Sequence, residues 1–154
     1  MNLKDRLTPT DVRGLILGEH HKIQMKLDEL STSAKTLLSA GPSEFARVLR
    51  LTHRLVSDLK SQIALEAKVL LPALRHADAW GNVRADKLIA QLRRRRKALR
   101  SLRIKAAKKD QTTLGVDIDG YIDERRRGMK RVERESLSPG VLRDDITGID
   151  VSGG

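Results

Sequence analysis

Three residues of this chain combine reactive side chains with positions that a folded core would enclose: His20, Glu66 and Glu133. His20 stands four residues after Ile16 and three before Ile23, so on a helix it shares their face. Glu66 shares the stripe of Leu59, Gln62 and Val69, and Glu133 comes four residues after Met129 on another. One imidazole and two carboxylates projecting inward from three helices are the kind of set with which a helix bundle holds a metal in its centre. A buried carboxylate without a cation or hydrogen-bond donor is costly, so each glutamate predicts a companion.

A short frame recurs around the two glutamates. Gln62-x-x-x-Glu66 is followed six residues on by Pro72, and Met129-x-x-x-Glu133 six residues on by Pro139. Here the chain resembles the hemerythrin-like, or HHE cation-binding, family. There a His-x-x-x-Glu pair on each of these helices presents two ligands to a non-haem di-iron centre. Glu19-His20-His21-Lys22-Ile23 is similar to the family's first-helix ligand region, with His20 at the ligand position. Leu65-Glu66-Ala67-Lys68-Val69-Leu70-Leu71-Pro72-Ala73-Leu74 is similar to its second-helix signature. The resemblance covers about residues 10–139.

Relative to that pattern, Gln62, Leu92 and Met129 stand where histidines would ligate, and His20, Glu66 and Glu133 remain. Three ligands cannot saturate two irons. Gln62 offers one weak carbonyl oxygen, Leu92 offers nothing, and a thioether suits soft metals. His21, His53 and His76 lie off the inward stripes or near a helix end. The resemblance therefore implies a degenerate metal site with no resident cofactor, non-haem iron being the metal to test. Arg95, three after Leu92, and Arg125, four before Met129, are the candidate replacements. A guanidinium in the former metal volume meets carboxylate oxygens through its planar fork. The alternative is that both arginines reach water along their apolar stems.

These side chains need helices to carry them, and the apolar period is near 3.6 almost throughout. Thr8-Pro9-Thr10-Asp11 is a helix start, and its stripe runs from Val12 to Leu37 before the breaker Gly41-Pro42. Ser43 is positioned to cap a second helix, whose end is marked by Pro72 and by Ala79-Trp80-Gly81-Asn82. Trp80 is expected to close the base of the bundle there. A third helix carries Ala85, Leu88, Leu92, Arg95, Leu99, Leu102 and Ala106. Gly115 and Gly120 frame an expected acidic turn, Asp117-Ile118-Asp119, before a fourth helix that stops near Pro139-Gly140. Residues 1–139 thus predict one all-α domain, an antiparallel up-down-up-down four-helix bundle, and 140–154 a poorly ordered tail.

The formal charge is +11 at pH 7, and its excess is confined to one segment. Residues 82–109 hold 12 Lys and Arg against the single acid Asp86, so the rest of the chain is balanced. Arg93, Arg94, Arg96, Lys97, Arg100 and Arg103 form the expected basic surface of the third helix. Like charges at helical spacing repel, which makes an acidic partner plausible: a protein surface, a membrane or nucleic-acid phosphates.

The absence of cysteine removes disulfides and thiolate chemistry, and no Gly-rich phosphate loop or Ser-His-Asp set is present. With only Phe45, Trp80 and Tyr121 as aromatics, base-stacking recognition is disfavoured. No apolar leader or membrane span is evident, so a cytoplasmic location is expected. The leading expectation is a non-enzymatic binding, regulatory or scaffold protein. The alternatives are a non-haem iron protein with a reduced His/Glu site handling oxygen, nitric oxide or iron, and a basic nucleic-acid-associated protein using the third helix.

Overall fold

The computed structural model describes residues 7–144, which form helices joined by short connections, with no strand among them. Helix α1 spans Pro9–Ala34, and a 3-10 turn at Leu37–Ser39 leads into α2, Pro42–Leu65. A π-helical turn, Glu66–Leu70, joins α2 to α3, Leu71–Ala77; α4 (Gly81–Ala107) and α5 (Gln111–Glu135) follow. Helix α1 packs on α2 and α5, and α4 packs on α2, α3 and α5, so the long helices close a ring around one apolar interior. Among the described residues no helix is long and apolar enough to cross a membrane.

Local chemistry explains most boundaries. Thr8 and Asp11 cap α1 reciprocally, the Asp11 N–H donating to Thr8 Oγ1 at 3.1 Å and the Thr8 N–H to Asp11 Oδ2 at 3.0 Å. Its stripe Val12, Ile16, His20, Ile23, Leu27, Leu30 and Ala34 is buried throughout. Gly41 rather than Ser43 is the N-cap of α2, because Pro42 already fits the first turn.

Pro72 does not end the second rod. Its ring would strike the carbonyl four residues back in a regular α-helix. The π turn resolves this clash just upstream, with the Leu71 N–H reaching Glu66 O, five residues back. The rod then runs on to Ala77.

Trp80 does not close the base of the bundle. It is 65% exposed, and the neighbouring Gly81 occupies the tight position instead. A Cβ on Gly81 would lie 2.2 Å from the Leu74 carbonyl oxygen, so only glycine lets α4 start so close to α3. The expected acidic turn is also helical, since α5 begins at Gln111 and passes through both Gly115 and Gly120. The reversal is made earlier, where Lys109 takes φ 53° and the Asp110 carboxylate accepts from the Thr112 N–H at 3.0 Å. Packing likewise continues past residue 139. Val141 and Leu142 are buried, and Asp144 Oδ1 accepts from the Thr10 N–H at 3.0 Å. The remainder of the expected tail, 145–154, lies outside the described residues.

Candidate functional site

The π turn places Glu66 at the interior of the ring with no exposed surface. Across from it, α4 delivers Arg95, whose Nη1 lies 2.5 Å from Glu66 Oε2. This is a close ion pair without hydrogen-bond alignment, since both atoms remain without a hydrogen-bond partner. Arg95 Nη2 donates to Gln62 Oε1 at 3.2 Å, one turn before Glu66. The 3.6-residue period that buries Gln62 and Glu66 together therefore sets both on the same guanidinium. Burial pushes the Glu66 carboxyl up, and the His20 ring and the Arg95 charge outweigh it, holding the group below its ordinary value.

His20, from α1, joins the two glutamates but keeps them apart. Its Nδ1–H donates to Glu133 Oε1 at 3.0 Å, and its Nε2 lies 3.9 Å from Glu66 Oε1. The two ring nitrogens point in diverging directions, so the carboxylates sit on opposite edges of one imidazole. Glu133 is not an inward group: its side chain is 39% exposed, and with His21, Gln24 and Lys130 it lines a surface cleft between α1 and α5.

This donor set does not fit a di-iron centre. An ion on His20 Nε2 would meet only Glu66, whose other oxygen already faces a cation. Glu133 could only orient the ring from behind. Among the described residues no group of three or more His, Asp or Glu side chains is arranged to hold a metal ion. Gln62, Leu92 and Met129 are all buried, the last two within the apolar core. His21, His53 and His76 are exposed.

Arg125, on α5, is buried beside the pair without joining it. Its Nε and Nη2 have no hydrogen-bond partner. Burial, reinforced by the like charge of Arg95, lowers its pKa from the ordinary guanidinium range to about 10, so it remains a cation at neutral pH. Its guanidinium lies over Gly128 in the next turn, where a Cβ would stand 3.1 Å from Nη2. Tyr121 lies four residues before Arg125, and burial raises its phenol to about 12.

Both arginines line a cleft of about 330 Å³ between α4 and α5, together with Arg94, Arg127, Arg131 and Tyr121. The sequence reading overlooked Tyr121, Arg127 and Arg131. The signal available was the i, i+4 spacing of Arg127 and Arg131, with Gly128 leaving room between them. Arg93, Arg94, Arg96, Lys97, Arg100 and Arg103 are exposed, and Arg96, Arg100 and Arg103 line a second groove, with Lys60, between α2 and α4. Comparison with protein-family models, with curated proteins and with solved structures gives no match for this chain.

Proposed function

We propose that this chain is a hemerythrin-like, antiparallel up-down-up-down four-helix bundle in which an arginine has taken over the charge role of a lost metal. It acts as a non-enzymatic, cytoplasmic binding or scaffold protein. The observation that carries the reading is the Arg95–Glu66 ion pair, 2.5 Å apart and buried where the helices face one another. Gln62, on the position that resembles a ligand site, accepts from the same guanidinium. The ring of helix contacts and the short connections support the bundle topology.

A cation already neutralises the buried carboxylate, which removes the need for a metal there. Elemental analysis of the purified protein, followed by optical spectra after anaerobic ferrous loading and exposure to air, tests this. Substoichiometric iron without charge-transfer bands is expected. One or two irons per chain with such bands would establish the iron-protein alternative.

Binding in this reading is directed at anions. Among the described residues, Arg93, Arg94, Arg96, Lys97, Arg100 and Arg103 make no ion pair, although they share one helix. Their mutual repulsion is relieved by an acidic partner, protein or nucleic acid. Duplex DNA affinity measured over a salt series decides the nucleic-acid case, since phosphate contacts give a steep, linear log–log dependence.

A further inference from the structure

The cleft between α4 and α5 has an unusual charge balance. Five arginines line it, Arg94, Arg95, Arg125, Arg127 and Arg131, against one carboxylate, Glu124. Two of the five are largely withdrawn from water: Arg125 is 5% exposed and the Arg95 side chain 10%. Glu66 contacts Arg95, while Glu66 and Glu124 act on Arg125 only at longer range, without an ion pair among the described residues. Arg125 is left as a buried cation with Nε and Nη2 unpartnered. A buried charge is tolerated when it is paired and hydrogen-bonded, and nothing within the described residues pairs this one.

We propose that this cleft is a binding site for a small phosphate-bearing anion, with the Arg125 guanidinium as its inner contact and Arg94, Arg127 and Arg131 as its outer ring. The inference stands on the observed cleft and does not depend on the ancestry proposed for the Glu66 site. Guanidinium forks match the oxygens of a tetrahedral oxyanion bidentately, and Arg125 lines the cleft without an ion-pair partner among the described residues. Tyr121 adds a hydroxyl that stays protonated at physiological pH and can donate. A volume of about 330 Å³ suits a phosphomonoester of modest size. The concave shape and the buried inner cation favour a small ligand over a nucleic-acid backbone, which would lie on the exposed cations of α4.

The probes are inorganic phosphate and glycerol 3-phosphate, titrated into the full chain at about 0.15 M salt, where exposed charges are screened. Phosphorus NMR and calorimetry read the binding. The native chain is expected to bind the phosphomonoester with a dissociation constant below about 1 mM. Arg125→Met should weaken binding at least about tenfold. Arg96→Gln with Arg100→Gln, on the opposite side of α4, should change it less than about twofold.

Gly128→Ala places a methyl 3.1 Å from Arg125 Nη2, so the guanidinium must give by a few tenths of an ångström while its charge stays. It should also weaken binding, and it perturbs the inner contact a second way with the charge retained. Binding equally reduced by the Arg96/Arg100 variant would show diffuse electrostatics and overturn the site. So would binding indifferent to both Arg125→Met and Gly128→Ala, or no binding of either probe at 10 mM. Duplex DNA binding that depends on Arg96 and Arg100, without phosphomonoester binding, would assign the cations to nucleic acid instead.

Discussion

Arg95 and Glu66 meet at 2.5 Å in the interior of the helix ring, one side chain from α4 and the other from the first residue of the π turn. Neither residue has a comparable substitute. Glu66 is fully buried, His20 Nε2 stands 3.9 Å away, and Arg125 contributes its charge at longer range without a hydrogen bond. The stability of the interior therefore depends on the pair remaining intact.

The His20 ring and the Arg95 charge, acting on Glu66 against its burial, give stability a definite acid dependence. The folded carboxyl of Glu66 titrates below its ordinary value of 4.5. Its contribution is thus complete above about pH 4.5 and is lost as pH falls through the lower folded value. Chemical denaturation between pH 7 and pH 3 should show a decline that begins below pH 5. In Glu66→Gln the decline should be shallower, because one proton-linked group is gone.

Arg125 has the opposite sign. A basic group whose pKa is lowered on folding binds protons less well in the folded state. At neutral pH it costs stability, and that cost is relieved only as pH rises above about 10. Arg125→Met keeps the apolar stem and removes the charge, so it should raise the denaturant midpoint, by about 1–3 kcal/mol in stability. A fall would mean that the guanidinium has a structural partner.

Ligand restoration tests the proposed ancestry. Gln62→His, Leu92→His and Met129→His together return imidazoles to three buried positions. While Arg95 still occupies Glu66, this triple variant is expected to bind iron poorly. Adding Arg95→Leu should bring stoichiometric iron and charge-transfer absorption. A folded quadruple variant without bound iron would contradict a common cavity for those positions.

The inward stripes were legible from helical spacing, and so were His20, Gln62, Glu66, Leu92, Arg95, Arg125 and Met129 as buried or nearly buried positions. Period alone could not resolve Glu133, which stands beside the stripe residues Met129 and Val132 but turns to the rim. A one-position rotation on a helix moves a side chain by about 100°. Pro72, Gly115 and Gly120 misled for a different reason. Each is a local breaker that tertiary packing overrides, by a π turn at the proline and by a continuous, packed α5 at the glycines. The anion cleft was not legible, because it joins arginines from two helices whose facing register only the folded structure shows.

Gly81 has a stricter role than a turn residue. Leu74 and Arg75 carbonyl oxygens stand 2.2 and 2.7 Å from where a Cβ would be. Backbone cannot yield as a side-chain tip does, so Gly81→Ala should lose about 1–3 kcal/mol and shift the α3–α4 corner. Thermal unfolding checks the loss. Gly120→Ala faces open space and should be neutral or stabilising.

The most direct measurement of the central claim is a double-mutant cycle on Arg95 and Glu66, using Arg95→Met, Glu66→Gln and the combination, read by denaturant unfolding. Arg95→Met alone strands a buried carboxylate and should cost about 3–5 kcal/mol. The double variant should recover most of this loss, giving a coupling of about 2 kcal/mol or more. Additivity within about 0.5 kcal/mol would show that the guanidinium does not neutralise Glu66 and would contradict the account.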